Sequence, residues 1–186
     1  MVEIILQSIV DEQISVLDFV DRAGVAIIQK EKVEKRTKIY PVAIEIKNGK
    51  KSFISLVPDS SCTSLVYFEV LNQNYLQNNT YLASVRLVGW FNTNRFLGYN
   101  NGSIEAELMR QIKAPNPIQG ISVYDIERTG IMPKVPDSVF GRYNYDEAEN
   151  QYLMMPYDYF AINYNIKYKV MPNCFEKPTL NLNNLC

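Results

Sequence analysis

The sequence contains no histidine in its 186 residues. This absence excludes Ser-His and Cys-His nucleophile pairs, the zinc-protease motif HExxH and metal sites built from imidazole. The phosphate-binding motifs GxGxxG and GxxxxGKS/T are also missing. Carboxylates remain the only plausible general acids or bases. The sequence therefore predicts no catalytic, cofactor-binding or metal-ligating residue, and an enzyme working through a pair of acids is the least favoured function.

Cysteine is scarce, and its spacing carries no motif. Cys62, Cys174 and Cys186 are far apart and form no CxxC pair, which argues against a zinc knuckle or a disulfide framework. Reduced thiols in a cytoplasmic setting are the expectation. Ser60, Ser61 and Cys62 share a predicted turn, but no histidine is available to activate any of them as a nucleophile.

Long apolar runs are absent as well. The N-terminal stretch MVEIILQSIVDEQ is apolar but is interrupted by acids and lacks a basic flank. It predicts neither a signal peptide nor a membrane span. The formal net charge of −1 gives no overall signature of polyanion binding. Hydrophobic residues make up 47% of the chain, enough for a packed core in one domain.

The clearest structural signal lies late in the chain, at residues 160–170. Apolar or aromatic side chains alternate there with polar and basic ones, which predicts a long half-buried strand. The apolar positions are Phe160, Ile162, Tyr164, Ile166, Tyr168 and Val170. A second strand, Tyr81–Phe91, is apolar on both faces except at Ser84 and Arg86, as in a central strand. Arg86 then needs a carboxylate, carbonyl groups or an interface.

The remaining pattern predicts an α+β single domain with a mainly antiparallel twisted sheet. Two helices are predicted to pack on the sheet. The N-terminal helix covers 2–21, where Asp11 caps a second helical piece and Gly24 ends it. The mid-chain helix covers 103–113. A short helix is expected over 137–145, and loops over 72–80 and 129–136. Residues 1–172 form the core domain, and residues 173–186 form an extended C-terminal arm without a core pattern of its own.

Residues 30–51 form a basic stretch. Eight basic and three acidic residues give it a charge of 8 − 3 = +5. Tyr40–Ile46 and Ser52–Val57 are predicted strands, joined by the Asn-Gly turn Lys47-Asn48-Gly49-Lys50, so a basic hairpin projects over about 38–57. Such a hairpin is either merely solvated or lies on a nucleic acid or an acidic neighbour, such as the patch 146–149 of another copy.

Two groups of acidic residues lack the arrangement of a catalytic or metal site. Glu105 and Glu107 do not share a helix face, and Asp146, Glu147 and Glu149 lack the spacing of a calcium loop. Trp90, the only tryptophan, is predicted to be a core or interface anchor. The predicted interface residues are Lys47, Lys50, Lys51, Arg86, Trp90, Lys167, Lys169, Phe175, Leu180 and Leu182.

Five segments in chain order carry a family resemblance. They are LDFVDRAGVAIIQK (17–30), YPVAIEI (40–46), LVPDSSCTSLVYFEV (56–70), SVRLVGWFNTNRF (84–96) and YDYFAINYNIKYKVMPNCF (157–175). With them, most of the chain resembles virion structural proteins of phages and prophages of Bacteroidetes-type bacteria, including the crAss-like phages. None of these motifs is catalytic.

The resemblance implies a neck, ring or tail-completion protein of the virion, assembled in the host cytoplasm. Such a subunit forms a ring below the portal, a dodecamer or a hexamer, and contacts portal or other neck and tail proteins. Genomic DNA passes through without sequence recognition, and no membrane or cofactor is involved. A tail terminator or a baseplate protein is the alternative within the family. Outside it, the alternative is a nucleic-acid-binding accessory protein that uses residues 30–51.

Overall fold

The computed structural model describes residues 1–33, 36–47, 50–95 and 101–171. The fold is α+β, as predicted, with two mostly antiparallel sheets. The helices are α1 (Val2–Ile9), α2 (Asn101–Gln111), α3 (Pro136–Phe140) and α4 (Glu147–Asn150), and the π-helical turn Val10–Ile14 continues α1. The strands are β1 (Arg22–Val25), β2 (Ile27–Val33), β3 (Arg36–Lys47), β4 (Lys50–Ser55), β5 (Ser64–Tyr75), β6 (Thr80–Asn92), β7 (Ile121–Ile131) and β8 (Tyr157–Val170).

The large sheet has the order β1-β5-β6-β8-β7, and only the β1–β5 pair is parallel. The strand predicted to be central is β6, which pairs with β5 and β8 on its two sides. The strand predicted over 160–170 is β8, and it lies between β6 and β7. Both predictions are confirmed by this pairing. Long strands with apolar side chains are stable in such positions because neighbouring elements cover them.

The first face of the large sheet is defined by the apolar residues of β8, all six of which are buried. α1, the π-helical turn and α2 pack against this face. α1 contributes Val2, Ile5, Leu6 and Ile9, which recur at three- and four-residue steps and so share one side of the helix. α2 contributes Ile104 and Leu108 to the same core, so the mid-chain helix packs on the sheet as predicted. This face holds the larger of the two cores.

The second face of the large sheet holds a smaller aromatic core over part of its length. Tyr67, Trp90 and Tyr159 from the sheet pack there with Phe140 of α3. Trp90 is fully buried, and its Nε1 donates a hydrogen bond to the Tyr152 carbonyl oxygen at 2.6 Å. Of the two roles predicted for this tryptophan, its burial matches the role of a core anchor.

The small sheet has the order β2-β3-β4 and contains the predicted hairpin. Ile44 lies opposite Phe53, and Ala43 lies opposite Ile54. The third strand, β2, was not predicted, because residues 30–33 were interpreted only as part of the basic stretch. The turn residues Asn48 and Gly49 and the whole arm 173–186 lie outside the described residues.

The predicted N-terminal helix over 2–21 was too long. The helical conformation ends at Ile14, and Gly24 lies inside β1 instead of ending a helix. Apolar residues at 17, 19 and 20 continue the helical spacing, but Phe19 joins the core from a turn. The misleading signal was the periodicity itself, since buried turn residues can follow it by coincidence.

Other predicted boundaries were also wrong. The loop expected over 72–80 shrinks to four residues, because Asn72–Tyr75 extend β5 beyond a bulge at Val70/Asn72. Asn78 and Asn79 form the turn with φ of 52° and 58°, a conformation that asparagine tolerates better than most residues. β7 likewise extends to Ile131, into the loop predicted over 129–136, and the helix predicted over 137–145 is only α3.

Gly24 is the point where the two sheets meet. A Cβ atom added at this glycine would lie 2.4 Å from Cβ of Ala43 in β3. Gly24→Ala is therefore expected to lower the free energy of unfolding by about 1–3 kcal/mol, the usual cost of overpacking. Chemical denaturation measures the loss. Ala43→Gly on the same background frees the space and should restore most of it; no loss in the single variant would contradict this packing.

Candidate assembly surfaces

One face of the small sheet carries an exposed apolar patch, consisting of Ile27, Ile44 and Phe53. Their exposed fractions are 43%, 39% and 65%. The register places Ile44 directly opposite Phe53, and Ile27 opposite Val42, two residues before Ile44. The three side chains therefore share one face of the sheet. Ile27 and Ile44 also line a groove between α1 and the small sheet, so the patch and the groove are continuous. This continuity indicates a contact surface and not isolated exposed residues.

The groove lies between α1 and the small sheet, with a volume of about 1070 Å³. Its apolar lining comes from α1 and the π-helical turn, β1, β5, the small sheet and the end of the mid-chain connection. These residues are Ile4, Val10, Ala23, Val25, Ala26, Ile27, Ile44, Ile54, Val70 and Ile118. The polar lining consists of Glu3, Gln7, Ser8, Asp11, Ser15, Glu45 and Lys51. Ile4 is 54% exposed, so the groove presents apolar surface to solvent from the helix as well as from the sheet.

The basic stretch does not form one positive surface. Its first part lies where β2 turns into β3, and its second part lies where β3 turns into β4. The twelve residues of β3 separate the two ends by roughly 35 Å at about 3.3 Å per residue. Lys50 and Lys51 are exposed at the second end. Charges that are neighbours in sequence are thus divided between opposite ends of the small sheet.

Lys38, at the first end, is already paired within the chain. Its Nζ lies 2.5 Å from Oε1 of Glu149 and 3.6 Å from Oδ2 of Asp146. Burial alone would lower the pKa of Lys38, but the two carboxylates raise it above its ordinary value. The basic hairpin therefore meets the acidic patch 146–149 in the same chain, where the sequence suggested a contact between copies.

The acids of that patch have a local role besides this contact. Asp146 caps α4: its Oδ1 accepts from the Glu149 amide at 2.9 Å, and Glu149 Oε2 accepts from the Asp146 amide at 3.0 Å. This reciprocal capping box satisfies two amides at the start of the helix. Within the described part of the chain, no group of three acidic or cysteine side chains is placed to hold a metal ion.

The rest of the second face of the large sheet is polar. Arg86 Nε donates to Oδ1 of Asn163 at 3.2 Å, and its Nη1 donates to the Ser138 carbonyl oxygen at 3.4 Å. Arg86 thus finds carbonyl oxygens, one of the partners predicted for it. Lys167 is exposed and Lys169 half-buried on this face, next to the edge strand β7. A solvated polar face is usual for an antiparallel sheet.

A buried carboxylate, Glu69, lies where this polar face meets the aromatic core. The side chain is only 2% exposed. It accepts a short hydrogen bond from the Tyr143 hydroxyl, and Nη1 of Arg142 lies 3.4 Å from its Oε2. Burial, together with the Glu69 charge, raises the pKa of Tyr143 far above its ordinary value. These contacts join β5 to the segment that follows α3.

The turn that contains Cys62 offers no nucleophile. Cys62 is 1% exposed, and burial raises the pKa of its thiol to about 11. The Ser61 hydroxyl donates to Asp59 Oδ1 at 2.5 Å and accepts from Arg22 at 2.6 Å. These bonds tie the turn to the start of β1. The thiolate required for nucleophilic attack is disfavoured at neutral pH.

The predicted interface residues do not gather in one place. Lys50 and Lys51 lie at one end of the small sheet, Lys167 and Lys169 lie on the large sheet, and Trp90 is buried. Only the backbone of Lys47 is described. Phe175, Leu180 and Leu182 lie outside the described residues.

Sequence reasoning missed the exposed isoleucines of α1 and β2. Ile4 lies outside the buried stripe of α1, and Ile27 begins β2 two residues after β1 ends. The positions of both isoleucines were visible in the sequence, but an isoleucine next to predicted core residues is normally interpreted as part of the core.

No helix in the described ranges is long and apolar enough to cross a bilayer. The sequence matches no protein-family model and no curated protein. The resemblance to phage virion proteins therefore stays a prediction.

Proposed function

We propose that this chain is a structural subunit of a phage particle that assembles with copies of itself into a ring at the neck or tail. The observation that carries the proposal is the exposed apolar patch Ile27–Ile44–Phe53 on a sheet with two open edges. Apolar surface of this kind is stabilised when another protein covers it. A second copy is the partner that the chain itself can supply.

The sheet edges support the same conclusion. The described strands leave the outer edges of β2, β4 and β7 unpaired, and such edges offer backbone donors and acceptors to a neighbour. A closed ring requires two different surfaces that fit each other, one on each side of the subunit. The small sheet and β7 are two such surfaces, because they belong to different sheets and expose different residues.

The position in the particle rests on the sequence resemblance alone. A neck or tail-completion ring surrounds the path of the genome and needs no reactive group. Basic side chains that bound the phosphates tightly would slow the passage of DNA. The division of the basic stretch and the pairing of Lys38 with Glu149 both suit a subunit that does not hold DNA. A tail terminator or a baseplate protein would use the same surfaces.

The same two observations weigh against the accessory nucleic-acid-binding protein. A backbone-binding surface needs several free cations on one face. Exposed Lys30 and Lys32 lie on β2, while exposed Lys50 and Lys51 lie at the opposite end of β3. Binding of a DNA duplex that tightens steeply at low salt would favour that alternative over the ring.

The decisive experiment measures the mass of the purified chain by sedimentation and its symmetry by electron microscopy. We expect a closed ring of 21.5 kDa subunits. Phe53→Asp places a charge in the apolar patch and is expected to reduce the assembly to single chains whose circular dichroism spectrum is unchanged, which shows that each chain stays folded. Val16→Asp, at a residue that is 64% exposed in a turn outside both sheets, is the matched control for the patch and should leave the ring intact.

Two outcomes would contradict the proposal. A wild-type chain that stays monomeric at the highest soluble concentration would overturn self-assembly altogether. A ring that survives Phe53→Asp unchanged would show that the apolar patch is not the contact surface.

A further inference from the structure

We infer that the groove between α1 and the small sheet is the binding site for the chain's own C-terminal segment, residues 172–186. This goes beyond ring assembly, because the occupant comes from the same copy and covers Ile27 and Ile44, whereas Phe53, which does not line the groove, stays available for the contact between copies. It also differs from the prediction that Phe175, Leu180 and Leu182 lie at an interface. Three observations support this inference. They are the lining of the groove, the point where the described chain ends and the composition of the segment.

The groove has the character of a site for an extended apolar segment. Ile4 forms part of one wall on α1, Ile27 and Ile44 form the other on the small sheet, and Ala23 and Val25 of β1 lie between. Charged side chains enter the lining only at a few positions, Glu3, Asp11, Glu45 and Lys51. None of the described strands pairs with the outer edge of β1, so its backbone can also receive an extended chain.

The described chain ends beside this groove. The amide of Met171 donates a hydrogen bond to the Gly120 carbonyl oxygen at 2.8 Å. Gly120 follows closely on Ile118, which lines the groove and bridges to Ile121. Residue 172 therefore starts within a few residues of the groove wall. Fifteen further residues span up to about 50 Å when extended, more than enough to cross it.

The composition of the segment matches an apolar groove. Its sequence is PNCFEKPTLNLNNLC, with Phe175, Leu180, Leu182 and Leu185 as apolar side chains. Glu176 and Lys177 are its only charged side chains, and they offset each other. Leu180 and Leu182 are separated by one asparagine, so an extended backbone directs both leucines to the same side. The segment lacks enough apolar residues to form a core alone, and docking would bury those it has.

The segment carries its own chemical probes, Cys174 and Cys186, while Cys62 is buried. Ile4→Cys and Ile27→Cys, made separately in the full chain, place a thiol on either wall of the groove. Mild oxidation is expected to link each new thiol to Cys174 or Cys186 within one chain, at least about 10-fold faster than it links Val135→Cys. Val135 is 47% exposed and does not line the groove, so Val135→Cys is the matched control.

Mass spectrometry of the oxidised chains identifies the linked pair, and a non-reducing gel gives the mass. Adding Leu180→Asp and Leu182→Asp to the Ile27→Cys chain should slow linking to the control rate, because charged side chains disfavour burial. Equal linking rates at the groove and at Val135 would overturn the inference. So would disulfide-linked dimers as the main product, which would place the segment in the groove of another copy. Ring formation is measured independently, so either result leaves the proposed function to its own test.

Discussion

Tyr143→Phe is expected to destabilise the fold by about 2–4 kcal/mol, although it removes a single oxygen atom. The Tyr143 hydroxyl donates to Glu69, whose side chain is 2% exposed. Without this donor, the hydrogen-bond partner that remains to the buried carboxylate among the described residues is Arg142, whose Nη1 lies 3.4 Å away. Leaving a buried charged group short of partners costs more than the bond itself contributes in the folded protein. Chemical denaturation at neutral pH measures the difference.

The matched control is Tyr164→Phe. The Tyr164 hydroxyl is also buried, but it has no hydrogen-bond partner among the described residues. Its removal should therefore change the stability by less than about 0.5 kcal/mol or increase it slightly, since a buried unpaired hydroxyl is itself a cost. Equal losses in Tyr143→Phe and Tyr164→Phe would show that ring packing, and not the Glu69 contact, is being measured.

A double-mutant cycle isolates the contact further. Glu69→Gln removes the charge and keeps a carbonyl oxygen that can accept from Tyr143. Combined with Tyr143→Phe, it should cost less than the sum of the two single variants, with a coupling of about 1–3 kcal/mol. Strict additivity would contradict a direct interaction between Glu69 and Tyr143.

This cluster also shows how far the sequence can predict the structure. The strand that contains Glu69 is marked in the sequence by the apolar residues that surround it from 65 to 71. Its partner was not, since Tyr143 comes 74 residues later in a segment predicted to be helical. Periodicity reports which residues of one element share a face, but it contains no information about which distant residue meets them. A lone acid in a buried strand was the available signal.

The assembly surfaces also combine features that the sequence predicts with features that it does not. The β3–β4 hairpin followed from the alternation on both sides of an Asn-Gly pair, which is a local signal. The pairing of Lys38 with Glu149 joins positions that are 111 residues apart, so local pattern could not predict it. The groove was equally beyond sequence reasoning, because α1, β1, the small sheet and Ile118 form it only after folding.

The second large effect is expected at high pH. Burial raises the pKa of Tyr164 and of Tyr168 from 10.0 to about 12, and raises the pKa of fully buried Tyr67 as well. Each group holds its proton more tightly in the folded chain than in the unfolded chain. Its contribution to stability is complete below about pH 10 and is lost as the pH rises toward 12. Together, Tyr164 and Tyr168 should account for about 2–3 kcal/mol at pH 12, because solvent screening reduces the effect of both shifts.

Urea denaturation at pH 9, 10, 11 and 12 tests this expectation. The Tyr164→Phe/Tyr168→Phe variant is the comparison, because neither hydroxyl has a hydrogen-bond partner among the described residues and both changes should be nearly neutral at pH 7. Between pH 9 and 12 the wild-type chain should lose about 2–3 kcal/mol more than this variant, since two titrating groups have been removed and solvent screening reduces the effect of each. Tyr124→Phe, at an exposed tyrosine of β7, should follow the wild-type curve. Parallel curves for wild type and double variant would mean that both phenols ionise in the folded chain as readily as in the unfolded one, and that the first face of the large sheet admits water at β8.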